Sequence, residues 1–472
     1  MLSAELVQRV ASVVGGAARS GPTWVVGGAV RDALLDRPVT DIDLAVPGRV
    51  DDLARLVASQ LGGVAFELSE EFSTWRARDR DGTWQVDVTL LRDDEIGKDL
   101  RRRDFTVGAI AVELDSGELV DPTGGLDDLA AGVLRQAGPE AFTEDPLRLI
   151  RAARLVGQFG FEVDPGTVSS ARQAAGLANH PAGERVLSEF ILLVGSRDPL
   201  AGIEILDRLG VLDTAFPELA GLRGIEQGPN HHLDVFGHTL EVLEGVLRIE
   251  SELDRFTGDS APEVAQFLAE PLADGMDRAG ALRLGALYHD CAKPVTRREE
   301  GGFVSFRGHD VEGARMIGDA FGRMKASRKL TDHVAGLARH HLILGFMVPE
   351  RPLSRSQVYH YLKTTEPVSI DVTLLTVADR LAARGTGPVA SSEMVAGHLE
   401  LAQEMVVAGL DWKREGPPRV PISGDQLAEA LEVEPGPELG RMIGVLEEAV
   451  YTGEVRSAKD AVKKARYLLD RG

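Results

Sequence analysis

Residues 25–46, VVGGAVRDALLDRPVTDIDLAV, decide how this chain is read. TWVVGG (23–28) is a short apolar run ending in Gly27 and Gly28, the pattern of a strand that enters a tight turn. AVRDALLD then starts a helix, and TDIDLAV (40–46) reads as a second strand. Asp41 and Asp43 are two apart, so on a strand they share one face. Two carboxylates on one face repel unless a cation lies between them, and a hard divalent ion such as Mg²⁺ takes oxygen ligands. Asp87, in QVDVTLL, is expected on a neighbouring strand beside the pair. Three such carboxylates hold two Mg²⁺ roughly 3.5–4 Å apart, the arrangement for in-line displacement at phosphorus. Gly27 and Gly28 leave backbone N–H groups open to approach at the positive end of a helix, a phosphate cradle. A lone DxD or Gly-Gly turn is usually a solvated strand edge or a plain turn. The specificity lies in finding both, about a dozen residues apart, with RRDF (102–105) downstream.

Outward from this stretch, residues 1–20 have the pattern of an amphipathic helix, and DDLARLVASQLG (51–62) is helical. FELSEEFSTWRARDRDGTWQVDVTLLR (66–92) reads as strands around an Asp81-Gly82 turn. From about residue 140 the strand signal nearly stops, FVSFRG (303–308) being the one later candidate. A polar, acidic stretch at 251–280 reads as an insertion or mobile loop, and GPPR (416–419) as a linker. The expected fold class is α+β: a small mixed sheet with helices in a head (1–137), then a helical neck (138–222), a metal-binding helical domain (223–400) and a helical tail (401–472). Lys+Arg number 52 and Asp+Glu 74, a net charge of −22, which argues against a protein that coats nucleic acid non-specifically but leaves room for a local basic groove. One cysteine, Cys291, excludes an intramolecular disulfide and suits a reducing cytoplasm. No apolar run approaches the ~20 residues of a membrane span, and the start MLSAELVQRV lacks the pattern of a signal peptide. The expectation is a cytoplasmic protein with no membrane partner.

VVGGAVRDALLDRPVTDIDLAV resembles the head of the class II tRNA nucleotidyltransferase and bacterial poly(A) polymerase family, within the polymerase-β-like nucleotidyltransferase superfamily. LRRRDFTVGAIA (100–111) is similar to the family motif that recognises the ribose, with Gly108 where the family usually has Asn. DPTGGLDDLAAGVLR (121–135) resembles the segment that closes the head. EDPLRLIRAARL (144–155) resembles the EDxxR element that templates the incoming base, and ERVLSEF (184–190) the ERxxxE element. The physical reading agrees. Asp145 and Arg148, read as i and i+3 on a helix, are neighbours whose acceptor and donor edges can imitate a complementary base. The resemblance implies Mg²⁺ on Asp41 and Asp43 with Asp87 assisting. It also implies triphosphate on Gly27, Gly28 and Arg31, ribose on Asp104, and the base on Asp145 and Arg148. Arg102, Arg103, Arg151 and Arg154 are expected as nucleotide-binding cations, and with Arg101 and Arg148 they are expected to form a basic cluster near the cleft. The partners implied are the tRNA 3′ end, CTP and ATP. Only fourteen residues separate Asp87 from Arg102, whereas complete CCA-adding members usually carry a longer flexible loop there, needed for the final adenosine. CC-adding members resemble the short form. The expected product is therefore –CC. A complete CCA-adding enzyme, a poly(A) polymerase, and an RNA-binding phosphohydrolase with an inactive head are the alternatives.

Further along, NHHLDVFGHTLEVLEG, LGALYHDCAKP and LLTVADRLAARG resemble the three pieces of the HD phosphohydrolase superfamily. The resemblance makes His238, His289, Asp290 and Asp379 ligands of a divalent transition metal, which suits their N and O donors, and allows an added phosphohydrolase activity. His309, His340 and His341 are open candidates for a second metal site; His231 and His232 are left without a role. Cys291, beside the dyad, is expected to pack as a small residue. PISGDQLAEALEVEPGPELGRMIGVLEEAVYTGEV (421–455) resembles the family's C-terminal helices, and the basic KDAVKKARYLLDR (459–471) is a candidate track for RNA backbone.

Overall fold

A computed structural model describes residues 5–15, 21–69, 73–91 and 95–469, in two compact units, 1–215 and 216–472.

The first unit is built on a seven-stranded mixed sheet. Its strands are β1 (Trp24–Val26), β2 (Asp41–Val46), β3 (Val64–Ser69), β4 (Thr74–Arg78), β5 (Gln85–Leu90), β6 (Ala111–Glu113) and β7 (Leu119–Val120), in the order β3-β4-β5-β2-β1-β6-β7. The helices around it are α1 (Glu5–Gly15), α2 (Gly28–Leu34), α3 (Val50–Leu61), α4 (Ile96–Arg101) and α5 (Gly125–Ala131). Strand periodicity explains the layering. Ile42 and Leu44 on β2 and Val86 and Val88 on β5 point into a core shared with Val10 and Val14 of α1 and Leu53 and Val57 of α3. Each such buried aliphatic contributes ~1.5–3 kcal/mol. The intervening residues, Asp41, Asp43 and Asp87, therefore lie on the opposite face.

A helical segment completes this unit: α6 (Ala141–Glu144), α7 (Leu147–Phe159), α8 (Pro165–Ala174), α9 (Gly183–Val194), α10 (Pro199–Arg208) and α11 (Leu212–Ala215). A short parallel pair, β8 (Val133–Leu134) with β9 (Glu162–Val163), ties it to the end of the head.

In the second unit the helices are α12 (Pro217–Ala220), α13 (Val235–Ser251), α14 (Leu253–Thr257), α15 (Ala261–Leu268), α16 (Arg278–Tyr288), α17 (Lys293–Thr296), α18 (His309–Arg323), α19 (Arg328–His340), α20 (Ile343–Met347), α21 (Arg355–Thr365), α22 (Ser369–Ala382) and α23 (Ser392–Glu415). Three more follow, α24 (Gly424–Leu431), α25 (Pro437–Thr452) and α26 (Ala458–Leu469). Two small hairpins interrupt them: β10 (Pro271–Ala273) with β11 (Met276–Asp277), and β12 (Arg298–Glu300) with β13 (Phe303–Ser305). α16 is buried on nearly all sides, so its sequence is apolar rather than amphipathic. At Gly245 on α13, a Cβ would stand 3.2 Å from the Cα of Ala378, so glycine lets α13 and α22 close up beside Asp379.

The stretch 251–280 is not a loop. Ala261, Val264, Phe267 and Leu268 give α15 a buried stripe despite the acidic background, and the Asp277 carboxylate caps α16 through the Gly280 N–H at 2.8 Å. The linker at 416–419 does separate two helices, α23 and α24, and α23 runs unbroken across position 400. No helix among the described residues is long and apolar enough to cross a membrane.

Candidate functional site

Parallel pairing of β2 with β5 sets Asp43 opposite Asp87, and β1 sets Val26 opposite Asp43 on the other side. The chain then turns at Gly27, whose φ of 74° is open to glycine at little cost. A Cβ there would also stand 2.8 Å from Arg103 Nη1 and 3.4 Å from Asp43 Oδ2. The Gly-Gly turn therefore lies directly against the carboxylate. Desolvation in the cleft raises both Asp43 and Asp41 above the ordinary carboxylate range. Asp87 adds to this at both sites; at Asp43 the guanidinium of Arg103 opposes it, and at Asp41 that of Arg76. Raised carboxyls with crowded negative neighbours and open oxygen donors fit a hard divalent cation.

Arg76 was not foreseen. It lies opposite Asp87 on β4 and grips both carboxylate oxygens, Nε to Oδ1 at 2.7 Å and Nη2 to Oδ2 at 2.8 Å. Its signal in the sequence was a charged residue inside the alternating strand TWRAR.

A cavity of about 330 Å³ opens beside Asp43, lined by Gly27, Gly28, Arg31, Arg103, Asp104, Gly108, Arg151, Arg154 and Glu189 among others. Seven of the expected nucleotide-site residues, Gly27, Gly28, Arg31, Arg103, Asp104, Arg151 and Arg154, meet there. Burial would raise the Asp104 carboxyl, but Arg151, donating Nη1–H at 2.9 Å, and the Phe105 N–H at 2.8 Å hold it below its usual range. A side chain at position 108 would press on Asp104, since a Cβ would stand 3.2 Å from its Oδ1; glycine in place of Asn leaves that space open. The buried Glu189 accepts Arg151 Nε at 2.8 Å and Arg154 Nε at 2.6 Å. The last residue of the ERxxxE element is thus a brace beneath two cavity arginines.

Asp145 and Arg148 are arranged differently from the i, i+3 helix pair expected. Asp145 precedes α7 with extended backbone, because Pro146 disfavours the helical region for the residue before it. Its carboxylate accepts the Leu147 N–H at 3.2 Å and Arg185 Nη2 at 2.8 Å. Arg148, in the first turn of α7, donates to the carbonyls of Ala141 at 3.0 Å and Arg102 at 2.9 Å. Burial lowers the Arg148 guanidinium pKa against the pull of Asp104 and Asp145. Arg102 itself reaches Glu144 at 3.2 Å, outside the cavity lining.

In the second unit four helices converge on Asp290. His238 comes from α13, His289 from the end of α16, His309 from the start of α18, and His341 follows α19. Two groups have ligand atoms within 4.8 Å of one another: His238, His289 and Asp290, and Asp290, His309 and His341. Asp290 belongs to both. The Nδ1 atoms of His289, His309 and His341 sit 2.9, 2.7 and 2.7 Å from the carbonyls of Ala286, Phe306 and Ala338, which places the proton on Nδ1 and turns the Nε2 lone pair inward. His238 Nε2, His289 Nε2 and Asp290 Oδ1 are buried without a well-aligned hydrogen bond, although carboxylate oxygens crowd the two rings, Asp379 at 3.0 Å from His238 and Asp290 at 3.1 Å from His289. Buried ring nitrogens and carboxylate oxygens converging in this way fit divalent metal. Asp379 reaches His238 Nε2 at 3.0 Å but stands outside both close groups.

His340 lies outside this cluster; only its neighbour His341 turns in. Burial pushes His341 down to about 4 and His231 down to about 3, so both are neutral at pH 7. His231 packs edge-on against His238 at 4.6 Å, and His232 faces Glu241 at 3.3 Å. Lys293 was missed: its buried ammonium lies 2.6 Å from Asp290 Oδ2 and 2.6 Å from Gln227 Oε1. Its signal was its place three residues after Asp290. Cys291 is buried against the Gly313 carbonyl, with its thiol pKa pushed up by burial.

The model of the Poly A polymerase head domain matches residues 23–135, that of the HD domain residues 235–384, and that of the probable RNA- and SrmB-binding site of polymerase A residues 160–222. The A-adding tRNA nucleotidyltransferase of Deinococcus radiodurans is 36% identical over 444 residues, 93% of each chain. The chain belongs to the tRNA nucleotidyltransferase family. The CC-adding tRNA nucleotidyltransferase of Thermus thermophilus is 31% identical over 445 residues, 92% of this chain and 91% of that one. The fold is shared with solved CCA-adding enzymes. The Thermotoga maritima enzyme complexed with tRNA aligns at TM-score 0.60 and 22% identity, covering 98% of this chain and 94% of that one. A CCA-adding enzyme complexed with CTP aligns at TM-score 0.61 and 21% identity, over 98% and 94%.

Proposed function

We propose that this chain extends the tRNA 3′ end from CTP and stops after two cytidines, with Asp41 and Asp43 as the Mg²⁺ ligands and Asp87 beside them. Mg²⁺ on these carboxylates supplies, when bound, positive charge for the attacking 3′-OH and the transferred α-phosphoryl group. Arg103, against the Gly27 turn, and Arg31 offer fixed positive charge to the triphosphate. Asp104, kept ionised by Arg151, accepts from a ribose hydroxyl. Asp145 and Arg148 read the base, each oriented by a partner outside the pair: Arg185 for one, the Ala141 and Arg102 carbonyls for the other.

The observation that carries the –CC limit is the brevity of the connections around the catalytic strands. Residues 91–95 join β5 to α4, residues 70–73 join β3 to β4, and α4 takes up the rest of the path to Arg102. Five extended residues reach at most ~17–18 Å, enough to connect and too little for a mobile lever that resets the pocket from C to A. Residues 70–72 and 92–94 lie outside the described residues. A second reading, addition of A alone, is favoured by the 36% identity to an A-adding relative. Two substrates separate them: tRNA lacking CCA given CTP alone, and tRNA ending in –CC given ATP alone. The proposal expects extension of the first and none of the second; the reverse result establishes the second reading.

For the second unit, we propose a divalent transition metal held by His238, His289 and Asp290, with a second position on His309 and His341. Lys293 there balances the Asp290 charge at the edge of a cavity of about 610 Å³. Phosphohydrolase activity is the chemistry such a site supports.

A further inference from the structure

Helix α7 carries Arg148, Arg151 and Arg154 and ends at Phe159, a half-buried residue that lies outside the nucleotide cavity lining. The guanidinium carbons of Arg31 and Arg37 each lie 4.4 Å from the centre of its ring. Phe161 stacks on the same ring at 5.1 Å, with 9° between the planes. Arg31 is also gripped from a second side: the Asp32 Oδ1 atom takes Nε and Nη2, both at 2.9 Å. Nη1 has no hydrogen-bond partner among the described residues. An aromatic ring against the cation and a carboxylate along one edge leave the opposite edge for a ligand, and Arg31 lines the cavity next to Gly27 and Gly28. A free arginine must be ordered each time it binds an anion; one already held in place is not.

We propose that Phe159 is a positioning residue for triphosphate: its contact with Arg31 fixes that guanidinium toward the phosphates and ties the far end of the base-reading helix to the phosphate end of the site. This rests on the reading of Arg31 as a triphosphate ligand. Because the phosphates are common to every nucleotide, the effect is blind to the base.

The test is equilibrium binding of CTP and of inorganic triphosphate, by calorimetry, to the full chain. The variants are Phe159→Leu, Phe159→Met, Phe159→Tyr, Arg31→Ala and the double change Phe159→Leu/Arg31→Ala, with thermal unfolding followed in parallel. The expected result is a rise in Kd of about threefold to tenfold for both ligands in the two aliphatic variants. Phe159→Tyr, which keeps the ring, retains wild-type affinity. In the Arg31→Ala background the Phe159→Leu loss disappears, as it must if both act through one contact. Loss for CTP without loss for inorganic triphosphate, a loss that persists in full without Arg31, or a loss that Phe159→Tyr shares, overturns the proposal. Unchanged binding in Arg31→Ala removes the triphosphate reading of Arg31 and this proposal with it. Weakened binding in Arg31→Ala with wild-type binding in folded Phe159→Leu removes the proposal alone.

Discussion

Asp43 shows how one residue can be costly to the fold and necessary to the chemistry. Its carboxyl is raised by desolvation, with Asp87 and Asp41 adding to this and Arg103 opposing it, so its negative charge costs more than that of a free aspartate until a cation arrives. Asp43→Asn is expected to lower nucleotide incorporation by at least about a hundredfold. In EDTA the same variant should melt at or above the wild-type temperature, because a repelling charge has gone. Scanning calorimetry with and without Mg²⁺ checks this; a lower Tm in EDTA would mean that Asp43 stabilises the fold by itself. Arg148 makes a different demand. Its Nη atoms are already oriented by two carbonyls, so Arg148→Ala should blur CTP over UTP by about ten- to a hundredfold, the size of one to two lost charge-assisted hydrogen bonds. Competition assays with both nucleotides measure this. Equal weakening of CTP and UTP would make Arg148 a phosphate ligand.

At the scale of elements, the strands and turns of the head were legible because period-2 alternation and a Gly-Gly turn are local signals. TWVVGG, TDIDLAV and QVDVTLL became β1, β2 and β5 with the pairing that sets Asp43 against Asp87. What joined elements distant in sequence was not legible. Arg76 and Asp87 meet across a hairpin, and Glu189 meets Arg151 and Arg154 across a helix pair. The acidic stretch 251–280 was misread because its apolar residues are sparse, yet four of them share one face of α15. Asp145 stands off the helix because Pro146 disfavours the helical region for the residue before it, which i, i+3 spacing alone does not reveal. One distant pair lies buried between helices of the second unit. Asp371 on α22 is fully buried and receives Arg278 Nη1 of α16 at 2.7 Å, with His333 Nε2 of α19 at 3.5 Å. Arg278→Met leaves that carboxylate without its cation and should destabilise the unit by about 3–5 kcal/mol, with Arg278→Met/Asp371→Leu recovering much of the loss. Urea unfolding of the three proteins checks it; a single variant within about 0.5 kcal/mol of wild type would show that the pair carries no weight.

On the scale of the whole molecule, the two sites have separate ligands in separate compact units. His289→Ala should therefore reduce bound transition metal, measured by elemental analysis after dialysis, while nucleotide incorporation continues. Equal metal content in variant and wild type would remove the metal reading of the His/Asp cluster. The net charge of −22 coexists with the arginines gathered at the head cavity, so attraction for an anionic substrate is local rather than global. If the head is a working nucleotidyltransferase whose short connections confine it to cytidine, its product ends at –CC. Sequencing the product made by the purified full chain from a tRNA lacking its CCA end, with CTP and ATP both present, tests this most directly. The expected 3′ ends stop at –CC. Efficient conversion to –CCA contradicts it.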